Sequence, residues 1–299
     1  MDFSTGNVGA TNSVVRILLV LAALAFCSGI QAQTSVWKAE KEGSYIYLGG
    51  TVHILTADDY PLPEAYDRAY ADSDTVYFET DIGEANSPAF ATRIAAAMSY
   101  SDGRTLQTVL DPEVYAQLSD YFSGKGVPIL LMNGFTPGGV SLTISILELQ
   151  SLGYTSAGVD MHFYTKASND GRKLGFFESV DEQLTFIAAL GEGIENDIIR
   201  YTLADIARLG GLLDTLKAQW RTGDIEGLDS TMIAELRDQF PDVYTSLISD
   251  RNNNWMPDIE AMFQTDEVEF VLVGAGHMGG PDGLLQQLAS KGYTITQIQ

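Results

Sequence analysis

Cysteine, histidine and positive charge are all scarce in this chain. The single cysteine, Cys27, lies in an N-terminal apolar segment, so residues 33–299 contain none. Disulfides, thiolate metal ligands and a cysteine nucleophile are therefore excluded there, and any metal must be held by His, Asp, Glu, backbone oxygen or water. Lys and Arg number 17 against 40 Asp and Glu, for a formal net charge of −23. That balance argues against nucleic acid and anionic membranes as partners, both of which need clustered cations, and fits a solvated, self-repelling surface. Also absent are H-E-x-x-H, a Walker-type phosphate loop, a dinucleotide fingerprint and G-x-S-x-G.

The N-terminus has the pattern of a targeting segment. Arg16 precedes an apolar run over residues 17–26, and small or polar residues continue through Gln31-Ala32-Gln33. The run is too short for a comfortable membrane span and suits a secretory signal with cleavage after Ala32. Phe26 stands where a lipoprotein site needs a small residue, which sets aside a lipidated Cys27. The expectation is a signal peptide over 1–32, a single domain over 33–299, a periplasmic or secreted location, and no stable membrane insertion after cleavage. A mature chain of about 267 residues is long enough for one large domain.

Against this background, two of the three histidines share one context: Gly50-Thr51-Val52-His53 and Gly274-Ala275-Gly276-His277. Each G-x-x-H follows an apolar run with strand character, Tyr45-Ile46-Tyr47-Leu48 and Glu269-Phe270-Val271-Leu272-Val273. A strand end opening into a glycine-containing loop is where α/β proteins place ligands and catalytic groups. Residues 36–82 show strand, G-x-x-H loop, a helix opened by Pro63-Glu64, and a strand Thr75-Val76-Tyr77-Phe78-Glu79. Residues 268–298 repeat the order, with Pro281 opening the helix and Tyr293-Thr294-Ile295-Thr296 as the closing strand. We take this as an architectural duplication whose symmetry brings the two histidine loops together. Between the blocks the pattern is mostly helical: 111–124 after Asp111-Pro112, 137–152 between Pro137 and Gly153, about 180–220 and 240–264, with a short strand Lys173–Glu178. The expected fold class is α/β, with paired strand–GxxH–helix units and a large helical insertion.

Paired imidazoles suit a divalent metal, and His53 and His277 are the expected ligands. Glu79, at the end of a strand beside the one leading to His53, completes two histidines and a carboxylate, which leaves open positions for hydrolysis. Glu178 ends the middle strand, as a second ligand, a general base or a helix cap. Asp160, in Gly158-Val159-Asp160, is expected to cap the next helix, and His162 to be structural. Arg251-Asn252-Asn253-Asn254-Trp255 is odd for a helix interior. Its arginine can orient a substrate carbonyl or carboxylate, or the stretch can be a surface helix break.

Taken in order, these pieces resemble the TraB/GumN/PrgY family, which includes the Tiki metalloproteases. The resemblance runs through Leu48-Gly49-Gly50-Thr51-Val52-His53, Val76 to Glu79, Gly158-Val159-Asp160, Gly175 to Glu178, Glu182-Gln183-Leu184, Arg251-Asn252 and Val273-Gly274-Ala275-Gly276-His277. It implies an erythromycin-esterase/ChaN-like fold and, through the Tiki branch, metal-dependent cleavage of peptide bonds with manganese or cobalt, zinc being the third candidate ion. His53, His277 and Glu79 fall at the metal, and Glu79, Glu178 and Arg251 are the catalytic candidates. The expected function is a secreted or periplasmic divalent-metal-dependent hydrolase with a peptide or protein substrate. Two alternatives remain: a non-catalytic metal- or haem-binding protein, as the ChaN relatives suggest, and an accessory factor in polysaccharide export, as the GumN label suggests.

Overall fold

Six strands form one sheet in the order β4-β3-β5-β2-β1-β6: β1 is Val36–Lys41, β2 Ser44–Thr51, β3 Thr75–Phe78, β4 Lys173–Phe176, β5 Glu269–Gly274 and β6 Thr294–Gln297. The structure is a computed structural model describing residues 33–299, apart from Asn86, Ala207 and the side chain of Ile187. The expected signal peptide lies outside the described residues. β2, β5, β3 and β4 pair in parallel, whereas β1 runs antiparallel to both β2 and β6.

β5 explains the centre of the sheet. Phe270, Val271, Leu272 and Val273 are all wholly buried, as a parallel strand covered on both faces requires. Side chains alternate, so Phe270 and Leu272 join one core while Val271 and Val273 join the other. Each such side chain contributes about 1.5–3 kcal/mol when buried. On the first face lie helices α1 (Glu64–Asp72), α6 (Val159–Asp170) and α9 (Leu209–Thr222), which bring Tyr66, Phe163 and Trp220. On the second lie α10 (Asp250–Met262) and α11 (Leu284–Ser290), through Trp255, Ile259, Leu284 and Leu288.

The long stretch between β3 and β5 is mostly helical, as expected. It includes α2 (Ile82–Ala85), α3 (Pro88–Ala97), α4 (Pro112–Gly124), α5 (Pro137–Ser151), α7 (Val180–Ala189) and α8 (Glu195–Ile206). Leu118, Phe122, Val140, Ile144 and Ile199 give α4, α5 and α8 a core of their own. Pro112 and Pro137 occupy first-turn positions, where a missing N–H costs nothing.

Several expectations are revised. β1 carries no distinct signal in the sequence yet pairs with β2 along its whole length. The helical stretch expected over 180–220 is three helices: Gly191 and Gly193, with φ values of 80° and 78°, separate α7 from α8, and α9 starts anew at Leu209. The region 240–264 begins with a short helix, Pro241–Tyr244, followed by a π turn, Thr245–Ser249, that runs straight into α10. Arg251 to Trp255 is no surface break: it lies within α10, and Arg251, Asn252 and Trp255 are buried. Pro281 precedes rather than opens α11, which starts at Leu284.

β2 and β5, the two strands that lead into the G-x-x-H loops, are adjacent and parallel, with Gly50 opposite Val273 and Thr51 opposite Gly274. Parallel pairing in that register delivers both loops to the same edge of the sheet. β6 lies beyond β1 rather than beside β2, so β1 interrupts the symmetry of the two units.

Candidate functional site

At that edge a cleft of about 390 Å³ opens. His53, Glu79, Thr80, Asp160, Gln183 and Arg251 are its polar residues, and Phe78, Ile82, Ala85, Phe186 and Leu247 make its apolar walls. His53 is the accessible group, with two-thirds (66%) of its side chain exposed. A methyl group built on Gly274 would lie 3.2 Å from Glu79 Oε1, 3.6 Å from His277 Cδ2 and 3.8 Å from His53 Nε2. The three residues expected at a metal therefore do converge on one point.

Asp160 organises His53. Its Oδ2 lies 2.9 Å from His53 Nδ1, and its Oδ1 accepts 2.6 Å from the Thr51 hydroxyl. An ionised carboxylate can only accept, so Nδ1 carries the proton and Nε2 faces the cleft. Asp160 does not cap α6, contrary to expectation: the N-cap is Gly158, and the carboxylate points into the site. Gly158 permits this approach, because a Cβ there would sit 2.3 Å from the His53 carbonyl carbon. Val159 adds a backbone bond to Val52 O at 3.0 Å, which ties the helix start to the loop. The negative charge of Asp160 is the main reason that His53 is raised to about 9.

Arg251 holds the rest together. Its Nε donates to Glu178 Oε1 at 2.8 Å, and its Nη2 donates to Glu178 Oε2 at 2.9 Å and Glu79 Oε2 at 2.6 Å. Nη1 lies 3.2 Å from His277 Nε2 and 3.4 Å from Leu247 O. Five N–H groups thus meet five acceptors, and none is left for a developing oxyanion. The guanidinium also lies 4.8 Å from the Trp255 ring centre. Trp255 Nε1 donates to Glu178 Oε1 at 2.9 Å, so Glu178 is committed to holding the arginine and does not line the cleft. Burial lowers Arg251, but Glu79 and Glu178 more than offset that and leave it raised.

Burial alone would raise Glu79, yet Arg251, His277, His53 and the Gly274 N–H, which donates at 2.7 Å, outweigh it and hold the carboxyl at about 2. His277 is pushed the other way, to about 4, chiefly by burial. Its tautomer follows from Asn252. Asn252 Nδ2 donates to His277 O at 3.1 Å and Asp282 O at 2.8 Å, which fixes the amide orientation. Oδ1 must then accept from His277 Nδ1, 2.7 Å away, so the lone pair is on Nε2, where Arg251 donates. Of the remaining groups, His162 is half-buried and packs against Tyr60 and Phe163, in keeping with a structural role.

As folded, these donors do not fit a metal held by three side chains: His277 Nε2 and Glu79 Oε2 belong to Arg251, leaving His53 Nε2 and Glu79 Oε1. Among the described residues no group of three or more His, Cys, Asp or Glu side chains is arranged to hold a metal ion. Sequence reasoning missed the roles of Asp160, Asn252 and Gln183. The adjacency of Asp160 to Gly158, and of Asn252 to Arg251, was the available signal.

An α/β sheet with a histidine–carboxylate–arginine cluster at the C-terminal edge of its parallel strands defines the class. Within it, the TraB/PrgY/gumN family matches residues 35–297, and the chain belongs to that family. It is also 24% identical over 302 aligned positions to "Metalloprotease TIKI2" of Danio rerio, with 83% of this chain and 57% of that protein covered. The chain therefore spans little more than half the length of that relative. No solved structure matches it.

Proposed function

We propose that this protein is an exported hydrolase of peptide bonds in which His53, oriented by Asp160, is the general base. The erythromycin-esterase/ChaN-like fold and the removal of residues 1–32 as a signal peptide are parts of the same reading. The observation that carries it is the His53–Asp160 pair: the carboxylate holds Nδ1 and leaves Nε2 directed into a cleft. Among the described residues no helix is long and apolar enough to cross a membrane.

In this reading, His53 in its neutral form, which predominates only above about pH 9, takes a proton at Nε2 from a water molecule as its oxygen attacks the amide carbon. The same imidazole then protonates the departing amine as the C–N bond breaks. Gln183 Nε2 supports the carbonyl oxygen. It lines the cleft, and its contacts to Glu79 and Glu178 are long, at 3.4 and 3.5 Å, so it has little to give up. The fully bonded Arg251 acts through its charge. Ile82, Phe186 and Leu247 favour an apolar side chain beside the scissile bond.

The likeness to the Danio rerio metalloprotease suggests a metal-dependent variant of this chemistry, which requires Arg251 to release His277 and Glu79. The test is to incubate residues 33–299 with a mixed peptide library and read the products by mass spectrometry. Cleavage next to apolar residues, lost in His53→Ala and Asp160→Asn, is expected. No cleavage by wild type, or equal cleavage by His53→Ala, overturns the reading. Equal rates with and without a chelator separate the metal-free from the metal-dependent form.

A further inference from the structure

We propose that Arg251 is a built-in cation: its guanidinium takes the ligand positions that a divalent ion would need, so the native protein binds no such ion through His277. The proposal deepens the hydrolase reading but is measured by binding rather than by turnover, so either can fail alone.

The donor set argues for it. Asn252 turns the His277 lone pair inward, onto Arg251 Nη1 at 3.2 Å. Glu79 gives Oε2 to the same guanidinium, and Glu178 gives both oxygens. Three side chains that would ordinarily be ligands therefore point lone pairs at one organic cation. That cation is itself 8% exposed, and the Trp255 ring lies 4.8 Å from it. His277 and Glu178 do not line the cleft, so an incoming ion meets Arg251 before it meets either.

An arginine suits this position in a way that a metal or a lysine does not. A metal would draw the carboxylates and imidazole to about 2.0–2.2 Å from its centre. The planar fork instead satisfies them at ordinary hydrogen-bond lengths, with Glu178 held in a bidentate pair. Exchange for a metal would also leave the displaced guanidinium with five donors to satisfy elsewhere, next to the apolar side chains of Phe186 and Leu247.

The experiment is cobalt binding to residues 33–299, followed by visible absorption and equilibrium dialysis, for wild type, His277→Ala, Arg251→Ala and Arg251→Lys. Wild type is expected to show no stoichiometric cobalt and no shift in melting midpoint. Arg251→Ala, with Glu79, Glu178 and His277 released, is expected to take up about one cobalt ion per folded chain and to regain melting temperature as cobalt is added. A wild-type protein that binds about one ion, lost in His277→Ala, overturns the proposal. A folded Arg251→Ala that binds none also overturns it. If Arg251→Ala does not fold even with cobalt, Arg251→Lys supplies the comparison: its shorter cation leaves at least one ligand free, and it is expected to bind cobalt more tightly than wild type by at least about tenfold. Equal affinities again overturn it.

Discussion

Asp160 and Arg251 show how one charged side chain can determine the state of another. Asp160 accepts from both Thr51 and His53, so its effect on the imidazole is geometric as well as electrostatic. Asp160→Asn keeps the shape but offers an N–H or a weaker acceptor to Nδ1, and it permits the wrong imidazole tautomer. In the proposed hydrolase, kcat/KM is expected to fall by about 10³–10⁴-fold, the cost seen when a comparable histidine loses its carboxylate. Circular dichroism and the melting midpoint should stay close to wild type, since the site stays filled. A change below tenfold at unaltered stability would remove Asp160 from the proposed machinery. The scarcity of histidine made His53 and His277 visible in the sequence, whereas Asp160 was masked by its position in the first turn of a helix, where an acid is expected to serve the helix itself.

At the level of elements, close approach and strand burial set the terms. The start of α6 touches the His53 loop only because residue 158 is glycine, with a clash of 2.3 Å awaiting any Cβ. Gly158→Ala must therefore move the loop or the helix. The expected outcome is a loss of roughly 100-fold in turnover, from sub-ångström misplacement of His53, alongside a small fall in melting midpoint. A fall in stability without loss of turnover would show that the loop does not need the helix. β5 supplies a second case. Glu269 opens the strand, is buried, and has no partner for Oε2. Burial first, then Glu267 and Asp74, push it up to about 7. The folded protein thus holds a proton that the unfolded chain releases between about pH 4.5 and 7, so this group weakens folding progressively as pH rises through that window. Glu269→Gln is expected to stabilise the fold by about 1–3 kcal/mol at pH 8 and to make little difference below pH 4.5, as read from urea titrations at both pH values. An equal effect at the two pH values would place the cause in packing. The sequence made β5 legible through its unbroken apolar run. β1 was hidden because Val36-Trp37-Lys38-Ala39-Glu40-Lys41 mixes charge into a strand whose Trp37 and Ala39 face the core. The breaks in the long helical stretches escaped notice because apolar periodicity persists across them.

Across the whole molecule, the pairing of the histidine loops was legible and their chemistry only partly so. Two strand–GxxH units implied a shared edge, and parallel pairing of β2 with β5 provides it. No spacing rule in the sequence could show that Arg251, 26 residues before His277, would reach that imidazole, since this depends on α10 packing across the second face of the sheet. Global charge raises a separate question. Asp2 and Arg16 cancel, so the −23 belongs entirely to residues 33–299. The cations are largely spent in local pairs at the surface, such as Arg93 with Glu84 and Lys291 with Glu260. Exposed pairs of this kind contribute only about 0–1 kcal/mol each. The surplus acids repel one another over longer distances, and folding brings them closer together. Added salt weakens both effects, shortening the Debye length from about 30 Å at 0.01 M to about 8 Å at 0.15 M. Because the repulsion is unbalanced and the pairs are individually weak, the repulsion is the larger loss. The melting midpoint should therefore rise between roughly 0.01 and 0.15 M sodium chloride and then level off. Sulfate at equal ionic strength separates screening from exclusion effects, since only exclusion continues to stabilise at higher concentration. A midpoint that falls as chloride is added would mean that the surface pairs outweigh the repulsion, and that the acidic excess is spread widely enough to cost the fold little.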